Sequence, residues 1–132
     1  MLDRIGPKKI VVVSSAPQIR FPDCYGIDMS RMKDFIVLRA MVALLKDRNL
    51  DHLLGAVYEK CQNAVKNKIS ENFVLELYNK FSEEEISQKV SEIVKPADIK
   101  AEVQVVFQTV ENLHKACQNH LGDWYFTGNF PT

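Results

Sequence analysis

The sequence has no excess of charge of either sign, since its 132 residues include 17 Lys plus Arg and 17 Asp plus Glu. Balanced, scattered charge offers no basic surface to a phosphate backbone, so we expect no nucleic-acid partner. No apolar run has the length of a membrane span, and the first residues lack the apolar core of a signal peptide, so we expect no membrane partner. The five glycines form no phosphate-binding loop.

Cysteine is scarce as well, and its three positions are Cys24, Cys61 and Cys117. An odd number at wide spacings does not suit a disulfide framework and favours free thiols in a reducing compartment. We therefore expect a cytoplasmic protein. With 46% apolar and 26% charged residues, the chain has the composition of one globular domain.

Two segments have the character of β-strands. Lys9 to Ser15 is short and β-branched, and Gly6-Pro7 and Pro17 bound it. Its unbroken apolar run predicts a strand buried on both faces, which is typical of the interior of a parallel sheet in an α/β fold. The alternation of apolar and polar residues from Val103 to Phe107 predicts a second, half-exposed strand.

The middle of the chain is predicted to be almost all helix. Ser30 is the expected cap of a first helix that ends near Asn49. A second helix follows, and its predicted apolar stripe comprises Leu54, Val57, Tyr58, Cys61 and Val65. Ser82 and Glu85 form a capping box at the start of a further helix that runs up to Pro96.

Few residues suggest a chemistry from their spacing alone. His114, Cys117 and His120 are spaced three apart and are residue types that bind zinc, but only Asp123 is close enough in sequence to serve as a fourth ligand. We therefore expect no metal site. The aromatic run Trp124–Phe126 is open to two interpretations, a stacking platform for a base or a plug of the core.

Both ends of the chain resemble one enzyme family. The segment KKIVVVSSAPQIRFPDCYGIDM, Lys8 to Met29, resembles the part of glutamine amidophosphoribosyltransferases that directly follows their phosphoribosyl-pyrophosphate loop and helix. The shared features are Ser-Ala-Pro after the strand, Ile-Arg-Phe-Pro, and Tyr-Gly-Ile-Asp-Met. The segment FTGNFPT, Phe126 to Thr132, resembles the family's Phe-Thr-Gly-x-Tyr-Pro-Thr, which lies near the end of the transferase domain.

The resemblance implies a fold and a division of the chain. The expected fold is an incomplete parallel sheet of the type I phosphoribosyltransferase kind, with a largely helical middle and C-terminal region. Residues 1–38 would supply the strand, loop and helix that match the family. Residues 39–100 form a helical region without a matched motif, and residues 101–132 supply a strand, a helix and the Phe-Thr-Gly-x-Phe-Pro-Thr tail.

The resemblance also implies an activity for the complete enzyme. The family releases ammonia from glutamine at an N-terminal cysteine and passes it through a channel to phosphoribosyl pyrophosphate, bound with magnesium, in the first step of purine synthesis. The glutaminase domain and the phosphate loop would lie upstream of this sequence and would be its missing partners. We therefore expect the chain alone to be inactive, with no catalytic residue of its own.

Four residues are expected to back the substrate pocket and the ammonia channel of that enzyme. Ser14, Ser15 and Arg20 lie in the matched segment, and Phe35 is the closest match to a hydrophobic channel residue on the following helix. An equally good interpretation makes Phe35 an ordinary residue of the helix core.

One feature of some family members is not reproduced. These members hold an iron–sulfur cluster through a C-x-x-C directly before Phe-Thr-Gly, where this sequence has Gly122 and Tyr125. A third cysteine of such members corresponds to Asp23, with Cys24 one position away. We expect neither a cluster nor another cofactor in this chain.

Two further expectations concern partners. A non-catalytic regulatory or interaction module derived from the same family is the alternative function, because the family's purine-nucleotide sites lie near the helix after Asp28. In either case the strand at Ile10 to Val13 would lack its neighbour in the complete enzyme. We expect it to pair with another copy of the chain or with the chain's own Val103–Phe107 strand.

Overall fold

The chain is a mixed α/β protein with a small parallel sheet and mostly helices, and its computed structural model describes residues 2–23, 29–119 and 122–130. In chain order the strands and α-helices are β1 (Lys9–Ser14), α1 (Ile36–Asp47), α2 (His52–Asn67), α3 (Leu75–Tyr78), α4 (Glu83–Val94), β2 (Glu102–Phe107), α5 (Val110–Ala116) and α6 (Trp124–Thr127). Short 3₁₀ helices span Leu2–Ile5 and Met32–Asp34.

The sheet has two strands within the described residues, and they run parallel. The register places Lys9 opposite Glu102 and Ser14 opposite Phe107. Parallel strands need a long crossover connection, which here is the whole helical middle of the chain. The predicted parallel pairing is therefore present, and the alternative in which the first strand pairs with the chain's own second strand is confirmed.

The expected burial of β1 on both faces is wrong for this chain. Val12 is 51% exposed and Val13 is 73% exposed. The physical reason is that α4 packs under one face of the sheet, and no described strand pairs with the outer edge of β1. The predicted alternation in β2 is confirmed, because every second residue from Val103 to Phe107 is half-buried.

The core lies beneath the sheet, where α1 packs against α4. Its largest fully buried side chains are Tyr78, Phe21, Met41, Leu45, Ile86 and Val90. Burying a side chain of this size stabilises a fold by about 1.5 to 3 kcal/mol. Phe21 belongs to the loop after β1, so the loop is anchored in the same core as the helices.

The first two helices differ from the expectations. The helix α1 begins at Ile36, and Ser30 does not cap it, because Phe35 has an extended backbone after the short 3₁₀ helix. In α2 the predicted stripe is too wide, since Tyr58 and Val65 are exposed. The reason is that α2 packs chiefly on the four-residue helix α3, which covers only a narrow strip of its surface.

The capping box at the start of α4 is confirmed. The backbone N–H of Glu85 donates to Ser82 Oγ at 3.1 Å, and the backbone N–H of Ser82 donates to Glu85 Oε2 at 2.8 Å. The bond from Ser82 lowers the pKa of the Glu85 carboxyl, and the cation of Arg48 lowers it further. This cap fixes the first turn of the helix that supports the sheet.

We expect Ser82→Ala to lower the free energy of unfolding by about 1 kcal/mol, because it removes the acceptor for one N–H group of the first turn. Ser70→Ala, in the exposed segment between α2 and α3, is the matched control and should change stability by less than about 0.5 kcal/mol. Urea unfolding of both variants measures the difference. Equal effects would show that the cap does not stabilise α4.

Candidate functional site

The carboxyl ends of β1 and β2 lie at the same end of the sheet, because Ser14 and Phe107 are opposite each other in the register. In open parallel sheets, ligands bind in the crevice outside the carboxyl ends of the strands. The loop that begins at Ser15 and the short segment 108–109 leave the sheet there. The carboxyl end of the sheet is therefore the candidate functional site.

The first two predicted site residues stand at the start of that loop. The hydroxyl of Ser14 donates to the carbonyl of Ala16 at 2.9 Å, and the N–H of Ala16 donates to Ser14 Oγ at 3.2 Å. These local bonds close a tight turn that directs the chain away from the sheet. Ser15 is exposed at the carboxyl end of the sheet. Ser14 therefore shapes the loop, whereas the hydroxyl of Ser15 is accessible from solvent.

Arg20, the third predicted residue, ties the loop to the first turn of α4. Its Nε and Nη2 atoms donate to Gln18 Oε1 at 3.2 and 2.8 Å, and Nη2 lies 3.5 Å from Glu83 Oε1. Gln18 is buried, and its Nε2 donates to the Glu83 carbonyl at 2.7 Å and to Ser87 Oγ at 2.9 Å. Both polar atoms of the Gln18 side chain are therefore hydrogen-bonded, Oε1 to Arg20 in the loop and Nε2 to α4.

Tyr78 completes this cluster from the opposite side. The guanidinium of Arg20 lies over the Tyr78 ring, 5.4 Å from its centroid, and the Tyr78 hydroxyl donates to the Arg20 carbonyl at 3.2 Å. Burial lowers the pKa of Arg20, against the raising effect of Glu83 and Tyr78. Burial also raises the pKa of Tyr78 well above its ordinary value, and the Arg20 cation opposes that rise. Arg20 therefore holds the loop in place.

The loop after β1 also contacts the C-terminal tail. The backbone N–H groups of Arg20 and Phe21 both donate to the carbonyl of Tyr125, at 2.8 and 3.0 Å. Asn72 Nδ2 donates to the carbonyl of Gly128 at 3.3 Å, and Gly128 ends α6 in a left-handed conformation with φ of 76°. The first resembling segment is therefore bonded to the residue directly before the second, and Gly128 of the second lies against the Phe21 ring of the first.

Gly128 is in close contact with its neighbours. A Cβ atom at this position would lie 2.5 Å from Asn72 Nδ2 and 3.0 Å from two ring atoms of Phe21. Asn72 could move only by giving up its bond to the Gly128 carbonyl, and the Phe21 ring is fully buried. Glycine is therefore needed here both for the backbone conformation and for space.

Phe35, the fourth predicted residue, is buried but stands apart from this cluster. It occupies the position before α1, and its carbonyl accepts the Arg39 N–H at 3.1 Å. Its neighbour Ile36 lines the apolar groove under the sheet. In the described part of the chain, no hydrogen bond or ring contact joins Phe35 to Ser14 or Arg20, so its geometry fits helix packing as well as a channel wall.

A polar groove of about 510 Å³ runs along the outer edge of β2, beside α4. Gln18, Glu83 and Ser87 line one wall, and the other wall follows β2 to Thr109 at the carboxyl end of the sheet. Sequence reasoning missed Gln18 and Ser87 because neither lies in a motif, and only the crossover brings them together. The groove offers carboxylates, amides and hydroxyls, which are groups for binding a polar ligand.

The residues with metal-binding side chains form a hydrogen-bonded pair instead of a cluster. His114 Nε2 lies 3.1 Å from Asp123 Oδ2, and the Thr127 hydroxyl donates to Asp123 Oδ1 at 3.3 Å. Within residues 2–23, 29–119 and 122–130 no three His, Cys, Asp or Glu side chains converge on a metal position. Cys24 and His120, which entered the sequence arguments, lie outside the described residues.

Comparison with known proteins adds no relative: no protein-family model, no curated protein and no solved structure matches the chain significantly. Among the helices of the described residues, none combines the length and the apolar character needed to cross a membrane.

The fit around Gly128 predicts that Gly128→Ala lowers the free energy of unfolding by about 2 kcal/mol or more, through backbone strain and overlap with Phe21. Gly6→Ala is the matched control, because Gly6 also has a positive φ of 67° but no atom lies within 4 Å of the added Cβ. It should cost about 1 kcal/mol from strain alone. Gly55→Ala, inside α2 and in open space, should stabilise by about 0.5 to 1 kcal/mol.

Thermal or urea unfolding ranks these three variants. A Gly128→Ala protein as stable as Gly6→Ala would show that the tail does not pack on Phe21.

The buried hydroxyl of Tyr78 predicts a specific pH dependence. Its pKa is higher in the folded than in the unfolded state, so its contribution to stability is complete below about pH 10 and is lost as the pH rises further. At neutral pH, Tyr78→Phe should cost about 0.5 to 1.5 kcal/mol for the lost bond to the Arg20 carbonyl. Above pH 10 the wild type should lose up to about 1.4 kcal/mol per pH unit more than the variant.

Urea unfolding of both proteins between pH 8 and about pH 11 tests this linkage. We expect the stability difference to shrink and then reverse, because only the wild type loses a proton from this site on unfolding. Parallel stability curves over the whole range would contradict a buried, neutral Tyr78.

Proposed function

We propose that the chain forms the C-terminal part of the phosphoribosyltransferase domain of an amidophosphoribosyltransferase. The complete enzyme would transfer glutamine-derived ammonia to phosphoribosyl pyrophosphate in the first step of purine synthesis. The observation that carries the proposal is the contact between the two segments that resemble the family, in which Gly128 lies against the Phe21 ring. Beside it, the N–H groups of Arg20 and Phe21 donate to the carbonyl of Tyr125, the residue directly before the second segment.

This contact supports the proposal because neither resemblance depends on it. The two segments lie near opposite ends of the sequence, with an unmatched helical region between them. Two accidental matches would have no reason to meet at the close approach of Gly128 to Phe21, with backbone hydrogen bonds at the adjoining Tyr125. Adjacent packing is what two parts of one site require.

The sheet gives a second line of support. Its two parallel strands are compatible with a part of a larger α/β sheet, and β1 has apolar side chains on both faces. Val11 and Val13 are exposed on the face opposite α4, and the outer edge of β1 has no described neighbour. In the proposed enzyme, the strand that carries the phosphate loop would pair with this edge, and the following helix would cover the exposed face.

The candidate residues would then have distinct roles. Ser14 and Ser15 would form the floor of the substrate pocket at the carboxyl end of β1. Arg20 would be a positioning residue, because its side chain is only 15% exposed and binds Gln18, Glu83 and Tyr78. Phe35 would border the ammonia channel through the start of α1.

We infer that this chain binds none of the groups that complete members of the family hold. Magnesium and phosphoribosyl pyrophosphate would be bound by the phosphate loop, whose sequence is not in this chain. The positions of the iron–sulfur cysteines hold Gly122 and Tyr125, and neither supplies the thiolate that holds an iron–sulfur cluster. We therefore assign this chain a supporting role in the transferase site and no bond-making step.

The proposal is tested by placing the glutaminase domain and phosphate loop of an amidophosphoribosyltransferase in frame before this chain. The purified fusion should release pyrophosphate from phosphoribosyl pyrophosphate with ammonia or glutamine, and the 132-residue chain alone should release none. In the fusion, Gly128→Ala should lower this rate at least about tenfold by displacing the loop. Gly55→Ala, far from the contact in sequence and in open space, is the control that should leave it unchanged.

Activity of the chain by itself would contradict the proposal. A fusion that folds with a cooperative transition yet remains inactive would also contradict it, and would favour the alternative of a non-catalytic interaction module.

A further inference from the structure

The outer edge of β1 presents unpaired backbone groups. The N–H of Glu102 donates to the carbonyl of Lys8 at 3.0 Å. This bond fixes the phase of the parallel ladder, that is, which residues of β1 direct their backbone groups toward β2. Since alternate residues of a strand face its partner, the N–H and C=O groups of Lys9, Val11 and Val13 point away from β2. Nothing in the described part of the chain pairs with this edge.

At the opposite edge of the sheet, a backbone group of the central part of the strand has a side-chain partner. There the N–H of Val105 points outward by the same alternation, and Ser91 Oγ on α4 accepts it at 2.8 Å. In the described residues, no helix plays that part for β1. The two edges therefore differ at this position, and the backbone groups of β1 remain open to another strand.

Beyond Lys9 at its start, the open edge lacks the features that usually keep a strand edge single. There is no proline and no charged residue from Ile10 to Val13, and the strand has no bulge in its register with β2. Ile10 and Val12 line an apolar groove of about 580 Å³ on the side of α4. A strand that binds here would find backbone partners and apolar contacts together.

We propose that this edge binds the same edge of a second copy of the chain, with the two β1 strands antiparallel and Val11 opposite the same residue of the other copy. The result is a four-stranded sheet in the order β2, β1, β1, β2. The dimer has two-fold symmetry, which is the commonest symmetry of homo-oligomers.

The phase of the ladder selects this arrangement. In a parallel pair, each residue that directs its backbone groups toward the other strand bonds to the two residues that flank its partner there. Because Lys9, Val11 and Val13 would be the bonding residues in both copies, the strands would be shifted by an odd number of residues. A two-fold axis parallel to the strands allows no such shift. An antiparallel pair centred on Val11 places Lys9 opposite Val13, and all three are residues whose backbone groups point outward. Every such group then finds a partner.

The side chains fit the same register. Lys9 faces Val13 of the other copy, so no like charges are opposed, and Lys9 keeps its ion pair with Glu102 at 3.0 Å. On the other face, Ile10 lies opposite Val12, so the apolar grooves of the two copies join. Charge and shape therefore favour a second copy as the occupant.

The inference concerns the 132-residue chain by itself and does not depend on the proposed function. In the complete enzyme another strand would take the same edge, so the fusion described above should not form this dimer.

Light scattering after gel filtration tests the dimer at micromolar concentration. The wild type should have twice the chain mass of 15.1 kDa. Val11→Lys and Val11→Glu should each have the mass of one chain, because the substitution places like charges together at the two-fold axis. An equal mixture of the two variants should regain the dimer mass, since opposite charges then meet. Val106→Lys, on the same face but on β2, should remain dimeric.

A monomeric wild type would overturn the proposal. Equal loss of the dimer in Val11→Lys and Val106→Lys would also overturn it, because association would then use the exposed face and not the edge.

Cross-linking checks the register without changing charge. In a chain with Cys24, Cys61 and Cys117 replaced by serine, Val11→Cys should form an intermolecular disulfide, because directly opposed residues lie within bridging distance. Val13→Cys, on the same face but displaced along the strand, should not. Cross-linking at Val13 and not at Val11 would rule out the proposed register.

Discussion

The parallel pairing of β1 with β2 is the constraint on which the rest of the structure depends. It joins Lys9–Ser14 to Glu102–Phe107, so that the helical middle becomes one crossover connection. It also sets the phase of the ladder, which leaves the backbone groups of Val11 and Val13 pointing away from the sheet. The same pairing thus explains the position of the core beneath one face and the open edge of the first strand.

A second set of contacts fixes the loop that leaves the sheet. The carbonyl of Tyr125 accepts the N–H groups of Arg20 and Phe21, and the Arg20 side chain is held by Gln18 and Tyr78. A cation at this depth is costly unless its donors are satisfied, and the cluster provides those partners. The loop is therefore shaped before any ligand arrives, which suits a segment that backs a substrate pocket at the carboxyl end of a parallel sheet.

Local sequence signals predicted the features that depend on neighbouring residues. The capping box of Ser82 and the alternation in β2 were correct because both follow from short-range geometry. The burial of β1 and the exposure of Val65 were not predictable, since each depends on which element packs alongside. Of the candidate site, the turn at Ser14 could be read from its position after the strand. The bonds of Arg20 to Gln18 and Tyr78 could not, because the crossover alone brings α3 and α4 beside the loop.

Amide hydrogen exchange measured by NMR on the Val11→Lys chain tests the central claim most directly, namely that β1 is paired on one side and open on the other. The N–H groups of Ile10 and Val12, which face β2, should exchange slowly, as should those of Arg20 and Phe21 at the Tyr125 carbonyl. The N–H of Val13 should exchange much faster. Uniform protection along β1, or rapid exchange at Ile10 and Val12, would contradict the account.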